Sequence, residues 1–519
     1  MIGGLVNRFK KWWPNAGLIE LQRYFRGLKE KETFSEQVVL VQCSEDIYFF
    51  GIFGQIASSL RKNTPIRVEQ YIYRCLNVGE SRSILGFIAS RFLINPLNIF
   101  KWRRLYNSFC DRVAYNSTSV RPMADINDAI SAWRSWKELT DKPSLINLTV
   151  NHVEVGDLVN DSYLRYKPAP TVDLKDFYLF LLIWQAYRAV RRARTYFLRV
   201  RPWLFLTSYS TYIQHGVPVR VALQNRVKVF SFGNYQEFAK ELSLQDWVHT
   251  KNPDQYAEGF LKLDKQDERM GIAEQALMSR LSGGIDSATV YMRKSAYEIT
   301  TDTVPDVKDA VVIFLHDFYD SPHVYRRMVF HDFWEWICFT IETLQTVDIK
   351  FFIKPHPNQI RLSDSVLEKL EQRYPNLAMI SSSITNKQLA EAGMACAVTV
   401  YGTVAHEMAF LGVPSIACAQ HPHISFEFCR TAKNKDEYSR LLLEYDTLPE
   451  AKAKLKRQSL IFYYMHNLNI DVETEVLRDA ANEYRMACNT SDERKDIVKL
   501  MHSMTELSGY RAMMAGLLA

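Results

Sequence analysis

The sequence predicts an α/β protein built on two doubly wound sheets, and three observations carry that prediction. Apolar runs of four to six residues recur between helical segments, the way strands buried on both faces of a parallel sheet read. At 519 residues the chain exceeds what one core accommodates, so two domains of about 200 residues with appendages follow. The apolar runs also fall into two sets, the second and clearer one beginning after Pro305.

Residues 1–34 form a basic, aromatic, amphipathic segment. Arg8, Lys10 and Lys11 stand beside Trp12 and Trp13, and a helical pattern follows through "LIELQRYFRGLKEK". Rings beside cations suit a bilayer interface, and they equally suit a helix docked on the main body. "GFIASRFLINPLNIFKWRRLYNSF" (Gly86 to Phe109) has the same character. The first α/β domain is expected at 35–300: strands "VVLVQC", "RVEQYIY", "PWLFLT" and "KVFSF" alternate with helices around "GIFGQIASSLRK" and "VPVRVALQN". The second is expected at 306–440, with strands "DAVVIFLHDF", "IKFFIKPHP", "LAMISS", "CAVTVYG" and "VPSIACA" separated by helices. Thr385 and Gln388 fit a capping box, and Gly393 and Gly412 stand where helices stop. Residues 441–519 read as a helical extension rich in Lys, Arg, Glu and Met.

Bulk properties exclude several classes. A net charge of +6 is too modest for this length to argue for a nucleic-acid partner. Eight scattered cysteines without a Cys-x-x-Cys pair read as reduced, buried thiols in a cytosol, and no metal site is expected. The opening residues lack the apolar run of a signal peptide. The most apolar stretch, "FYLFLLIW", is far short of the roughly 20 residues that span a bilayer.

Chemistry concentrates at strand ends of the second domain. "IKFFIKPHPNQ" places Lys354 and His356 at the C-terminal end of a buried strand, where open α/β sheets bind ligands, and Pro355 and Pro357 hold the loop extended. One unit later the glycine of "VTVYGTVAHEMAF", Gly402, allows close backbone approach and Thr403 opens a helix whose free N–H groups suit an anion. Glu407 lies one turn further, on the face of Thr403, and is aimed at ribose or sugar hydroxyls. Ser382, in "MISSSIT", could bind phosphate or base or simply shape the turn. "FLHDFYDSPH" reads as a cleft-lining loop. In the first domain the candidate general bases are Asp157 and Asp161, one turn apart, and His215, at a strand-to-helix turn with Tyr212, closed by Gly216.

"RLSGGIDSATVY" contains Ser-Gly-Gly-x-Asp-Ser, which resembles the diphosphate loop of ATP pyrophosphatases. That loop needs a strand before it. Here Met270, Ala273, Leu277 and Leu281 recur at helical spacing, so Gly283 and Gly284 read as the stop of an amphipathic helix.

The strings "HDFYDSPH", "FHDFWEW", "IKPHPN" and "VTVYGTVAHEMAFLGVPSIA" together resemble the capsule polysaccharide biosynthesis glycosyltransferases, which include Kdo transferases. The likeness covers roughly 306–425 and extends more weakly through "VGDLVNDSYLRY" and "YIQHGVPVRVALQNRVKVFSFG". It implies a GT-B-like fold, two Rossmann-like domains facing a central cleft. It implies transfer of a sugar from a nucleotide-sugar donor, CMP-Kdo or similar, to a glycan or glycolipid hydroxyl. No separate cofactor is expected, and no metal if His356, Lys354 and the helix end at Thr403 neutralise the phosphate. The likeness also implies that His356 and Pro357 engage the nucleotide phosphate while Gly402 and Glu407 line the nucleotide-sugar site. Peripheral contact with the inner membrane face is expected from the basic, aromatic segment at residues 1–34. A nucleotide-sugar epimerase of related fold and a non-catalytic glycan-binding scaffold are the competing readings.

Overall fold

The structure, a computed structural model, describes residues 15–29, 36–73, 95–116, 119–167, 169–251, 255–284, 302–356, 361–448, 451–489 and 496–518. The described residues divide into two compact units. One comprises those within Met1–Lys167, Asp173–His249 and Asp471–Ala519; the other those within Pro168–Val172 and Thr250–Ile470. Each holds its own Rossmann-like sheet, the pair of domains that the GT-B-like prediction requires.

The first sheet contains β1 (Val38–Gln42), β2 (Arg67–Ile72), β3 (Arg112–Asn116), β6 (Leu204–Thr207), β7 (Lys228–Ser231) and β8 (Lys240–Leu242); β4 (Thr149–Val150) and β5 (Val153–Glu154) form a separate hairpin. Its order is β3-β2-β1-β6-β7-β8, parallel throughout except for β8 against β7. Every residue of β1 and β6 is buried, which is why both read as unbroken apolar runs. Helix Ile47–Asn63, capped by the Asp46 carboxylate accepting from the Tyr48 N–H at 2.8 Å, lays Phe49, Phe50 and Phe53 on that sheet.

Three helices from the end of the chain, Val472–Asn489, Ile497–Met504 and Ser508–Leu518, complete this same core through Leu477, Tyr484, Met501 and Leu517. Helix Ala16–Leu28 joins it as well. Its Leu18, Leu21 and Phe25 are buried, with the Phe25 ring edge-on to Phe50 and Phe109 at 5.6 and 5.4 Å. The described part of the second membrane candidate, helix Asn95–Tyr106, likewise buries Ile99, Trp102 and Leu105. Both segments are docked helices where they are described; residues 1–14 and 86–94 lie outside the described residues.

The second sheet is all parallel: β9 (Val311–Phe314), β10 (Phe351–Lys354), β11 (Cys396–Val398), β12 (Ser415–Ala417) and β13 (Cys429–Thr431), in the order β10-β9-β11-β12-β13. "LAMISS" is not a strand of this sheet. It makes one bridge, Met379 to Ile353, before Ser381 to Ser383 turn away. The Thr385–Gln388 capping box is present, and Gly393 and Gly412 end their helices at φ of +85° and +82°, a region open to glycine without strain.

Helices Tyr256–Leu261 and Gln266–Leu281 belong to the second unit rather than to a first domain reaching residue 300. Ala273, Leu277 and Leu281 give their apolar face to Ala405, Ala409 and Leu455. Residues 441–470 join that unit too, so 441–519 is not one extension. The Ser-Gly-Gly turn stops helix Gln266–Leu281 as a Schellman cap: Gly283 lies at φ +98°, its N–H donates to Arg280 O at 3.0 Å, and the Gly284 N–H donates to Ser279 O at 2.9 Å. The remainder of that motif, 285–290, lies outside the described residues.

Candidate functional site

In a doubly wound sheet the chain winds outward in both directions from two neighbouring strands, and the loops after those strands diverge to leave a crevice. That point lies between β9 and β11 in the second unit and between β1 and β6 in the first.

At the β9/β11 point the central side chain is His316. Its Nε2 accepts the backbone N–H of Val400 at 3.3 Å and lies 3.1 Å from the Thr399 hydroxyl, so the proton sits on Nδ1. The ring stacks on Phe333 at 5.0 Å and meets Tyr401 at 4.5 Å, and burial drives its pKa down to about 3. Gly402 borders it. A Cβ there would come within 2.8 Å of the Thr399 hydroxyl oxygen and 3.6 Å of the His316 Cε1, so a side chain would crowd the crevice. His356, half-buried beyond the end of β10, is close enough to add to the depression of His316 and is itself lowered, first by burial. The loops carrying His356 and Gly402 thus border one imidazole. Pro357 lies outside the described residues.

Lys354 ends β10 almost wholly buried, and its pKa falls to about 8 through burial, partly offset by Glu407. Its Nζ donates to Asn386 Oδ1 at 3.3 Å, Asn386 Nδ2 donates to Glu407 Oε2 at 2.8 Å, and Arg280 Nη2 donates to Glu407 Oε1 at 2.8 Å. This corrects the expectation for Glu407. Both carboxylate oxygens are engaged in the interior, where an unpaired charge would be costly, so it is not aimed at sugar hydroxyls. Thr403 is exposed at the head of helix Val404–Phe410, which at seven residues is shorter than the pattern suggested. Ser382 is exposed in a turn whose neighbours, Ser381 and Ser383, both donate to Asp302.

At the β1/β6 point the groups are neutral. Gln42 ends β1, and its Oε1 accepts from the Thr207 hydroxyl, the Ser208 N–H and the Ser208 hydroxyl at 2.8, 2.9 and 2.8 Å. That fixes the amide, so its Nε2 donates to His215 Nδ1. The His215 proton therefore sits on Nε2, which donates and cannot accept one. Burial lowers His215 to about 3, and no carboxylate is bonded to Nδ1 to favour an imidazolium. The ring is placed by an unusual turn. Tyr212 adopts φ +61° and opens a π-turn, Tyr212–Gly216, while a Cβ on Gly216 would lie 2.7 Å from Ser210 O. His249, bonded to the Ser210 hydroxyl at 3.1 Å, packs with Tyr209 beside it.

The general-base expectations change accordingly. His215 rests as the wrong tautomer. Asp157 is held by Arg220, with Nη1 on Oδ1 at 2.7 Å and Nη2 on Oδ2, so it anchors helix Gly156–Tyr166. Asp161, on the buried side of that helix, accepts from Asn160 at 3.2 Å. The groups missed from sequence are Asn386 and Arg280 behind Lys354, and Gln42, whereas His316 stands in the "FLHDFYDSPH" loop expected to line a cleft. A glutamine ending the apolar run "VVLVQC" was the available signal for Gln42.

Among the described residues no helix is long and apolar enough to cross a membrane. No protein-family model matches the sequence, and no curated protein does. Solved structures similar to the chain include the β-Kdo 2,4-transferase KpsC of Thermosulfurimonas dismutans, at 12% identity over 50% of this chain and 79% of that one, with a TM-score of 0.30. A UDP-GlcNAc 2-epimerase from Neisseria meningitidis, solved with UDP-GlcNAc, matches at 9% identity over 82% and 97%, with a TM-score of 0.24. The wall teichoic acid polymerase TagF matches at 11% over 93% and 98%, with a TM-score of 0.21. Likeness at this level carries no argument about activity.

Proposed function

We propose that the chain is a glycosyltransferase that moves a sugar from a nucleotide donor, CMP-Kdo or a similar compound, to a hydroxyl of a bacterial surface glycan or glycolipid. The observation that supports it is the gathering of His356 and Gly402 around His316, with Lys354 at the end of the neighbouring strand. A departing phosphate there is met by imidazole donors and by one lysine, which stabilise developing negative charge without a divalent cation. The first unit takes the acceptor: its crevice offers hydroxyls, an amide and the His215 Nε2–H, groups that suit a polyhydroxyl compound.

A thermal-shift panel of CMP, CDP, UDP, GDP and their sugars tests the reading. A ligand at a hundred times its dissociation constant stabilises by about 2.7 kcal/mol, so the right nucleotide stands apart. Free nucleotide released only when acceptor is present supports transfer; isomerised sugar without acceptor would make the chain an epimerase, and no nucleotide response would leave a scaffold. Peripheral membrane contact is supported by an exposed apolar stripe on helix Pro122–Glu138, made of Met123, Ile126, Ile130 and Trp133, with the Lys137 ammonium 4.9 Å over the Trp133 ring. Co-sedimentation with anionic vesicles that survives Trp133→Ser would remove that support.

A further inference from the structure

The connection from β12 to β13 joins parallel neighbours with no helix in the crossover, an uncommon economy because such crossovers are usually helical. What fills the space instead is a cluster of soft ligands. His421 and His423 lie in this connection and Cys429 opens β13, at 0%, 1% and 3% exposure. One nitrogen from each ring and the Cys429 Sγ lie within 4.8 Å of one another, and the two ring centroids are 3.8 Å apart. Phe428 and Phe462 pack against His423 and exclude water.

Two features set this cluster apart from an ordinary aromatic core. The Nδ1 of His421 and the Nε2 of His423 are buried without a hydrogen-bond partner, each an orphan that costs about 1–3 kcal/mol. The other nitrogen of His421, Nε2, lies 2.7 Å from the Thr431 hydroxyl and 4.0 Å from the Cys429 Sγ.

We propose that His421, His423 and Cys429 form a binding site for a thiophilic metal cation of the zinc class, which staples the β12–β13 crossover. Ligand atoms on a tetrahedral zinc lie about 3.3–3.8 Å apart, so closing this set takes about an ångström of side-chain rotation. Coordination forms two N–metal bonds and one S–metal bond and releases the thiol proton to solvent, leaving a fourth position for water or for the Thr431 hydroxyl. The site lies on the far side of β11 from the His316 crevice in strand order and is independent of the transferase reading.

The test uses the full chain. Metal analysis after purification from zinc-supplemented medium is expected to find about one equivalent of zinc, and cobalt titration of the chelator-stripped protein is expected to show a sulfur-to-cobalt charge-transfer band. Both signals should vanish in Cys429→Ser and His423→Gln, with native far-UV dichroism retained, and persist in His502→Gln, a change at an exposed histidine elsewhere. A wild-type chain that takes up neither metal overturns the proposal, as does a band that survives Cys429→Ser. Should neither variant fold, the wild-type titration decides alone.

Discussion

The two sheets reverse their winding in the same way and furnish the crevice so formed in opposite ways. At the β9/β11 point the second unit sets imidazoles around a glycine and brings a lysine up from behind, itself backed by an amide, a carboxylate and an arginine. At the β1/β6 point the first unit places a glutamine, hydroxyls and a proton-donating imidazole, with no charged side chain in the network Gln42 builds. Equal topology therefore does not imply equal ligands. The first crevice suits neutral oxygen; the second suits an anion, because a partly desolvated ammonium gains more from a phosphate than from any hydroxyl.

The sharpest way to break this contrast is Glu407→Ala. It strands Arg280 in the interior and removes the charge that partly offsets the desolvation of Lys354, so denaturant unfolding should report a loss of about 3–5 kcal/mol. A loss below about 1 kcal/mol would mean that the relay is not built as described.

Lys354→Met should weaken nucleotide binding by about tenfold to a hundredfold in calorimetry, the range for a charge-assisted hydrogen bond, and leave acceptor binding unchanged. The pH dependence has a definite sign. Lys354 is charged below about 8, so affinity is full there and falls as pH rises through 8, by up to about tenfold per unit, and the variant should lose that slope. His215→Ala should do the converse and more gently. The KM for acceptor rises by about tenfold with nucleotide affinity intact, and His215→Gln, which keeps a donor, restores part of it. If His215→Ala instead abolished nucleotide binding, the division of labour between the units would fail. Ser382→Ala should change stability by no more than about 0.5 kcal/mol and leave binding unaltered, since the side chain is exposed and its neighbours hold the turn.

What could be read from the sequence is what is local. The strands other than "LAMISS", the Thr385 capping box and the glycine stops at 283, 393 and 412 each depend on residues a few positions apart, and these are present. The chemistry of the candidate site is not local. Glu407 is paired by a residue 127 positions away, and the tautomer of His215 is set by one 173 positions away, so no spacing reveals either. "LAMISS" had the composition of a strand but only one bridge partner, because Ser381 turns the chain aside after a single pair of bonds to Ile353. The domain limits were hidden for a related reason. Helix Gln266–Leu281 advertises an apolar face, but not which core receives it.

The chain leaves the first unit at His249 and re-enters it at Asp471. During synthesis the side chains of Phe50 and Phe53 emerge long before Tyr484 and Met501, which close over the same core. At ordinary translation speeds the gap amounts to roughly 20–90 s, ample for the inserted half to mature first on the ribosome. The amino-terminal half would spend that interval with an apolar face open to chaperones.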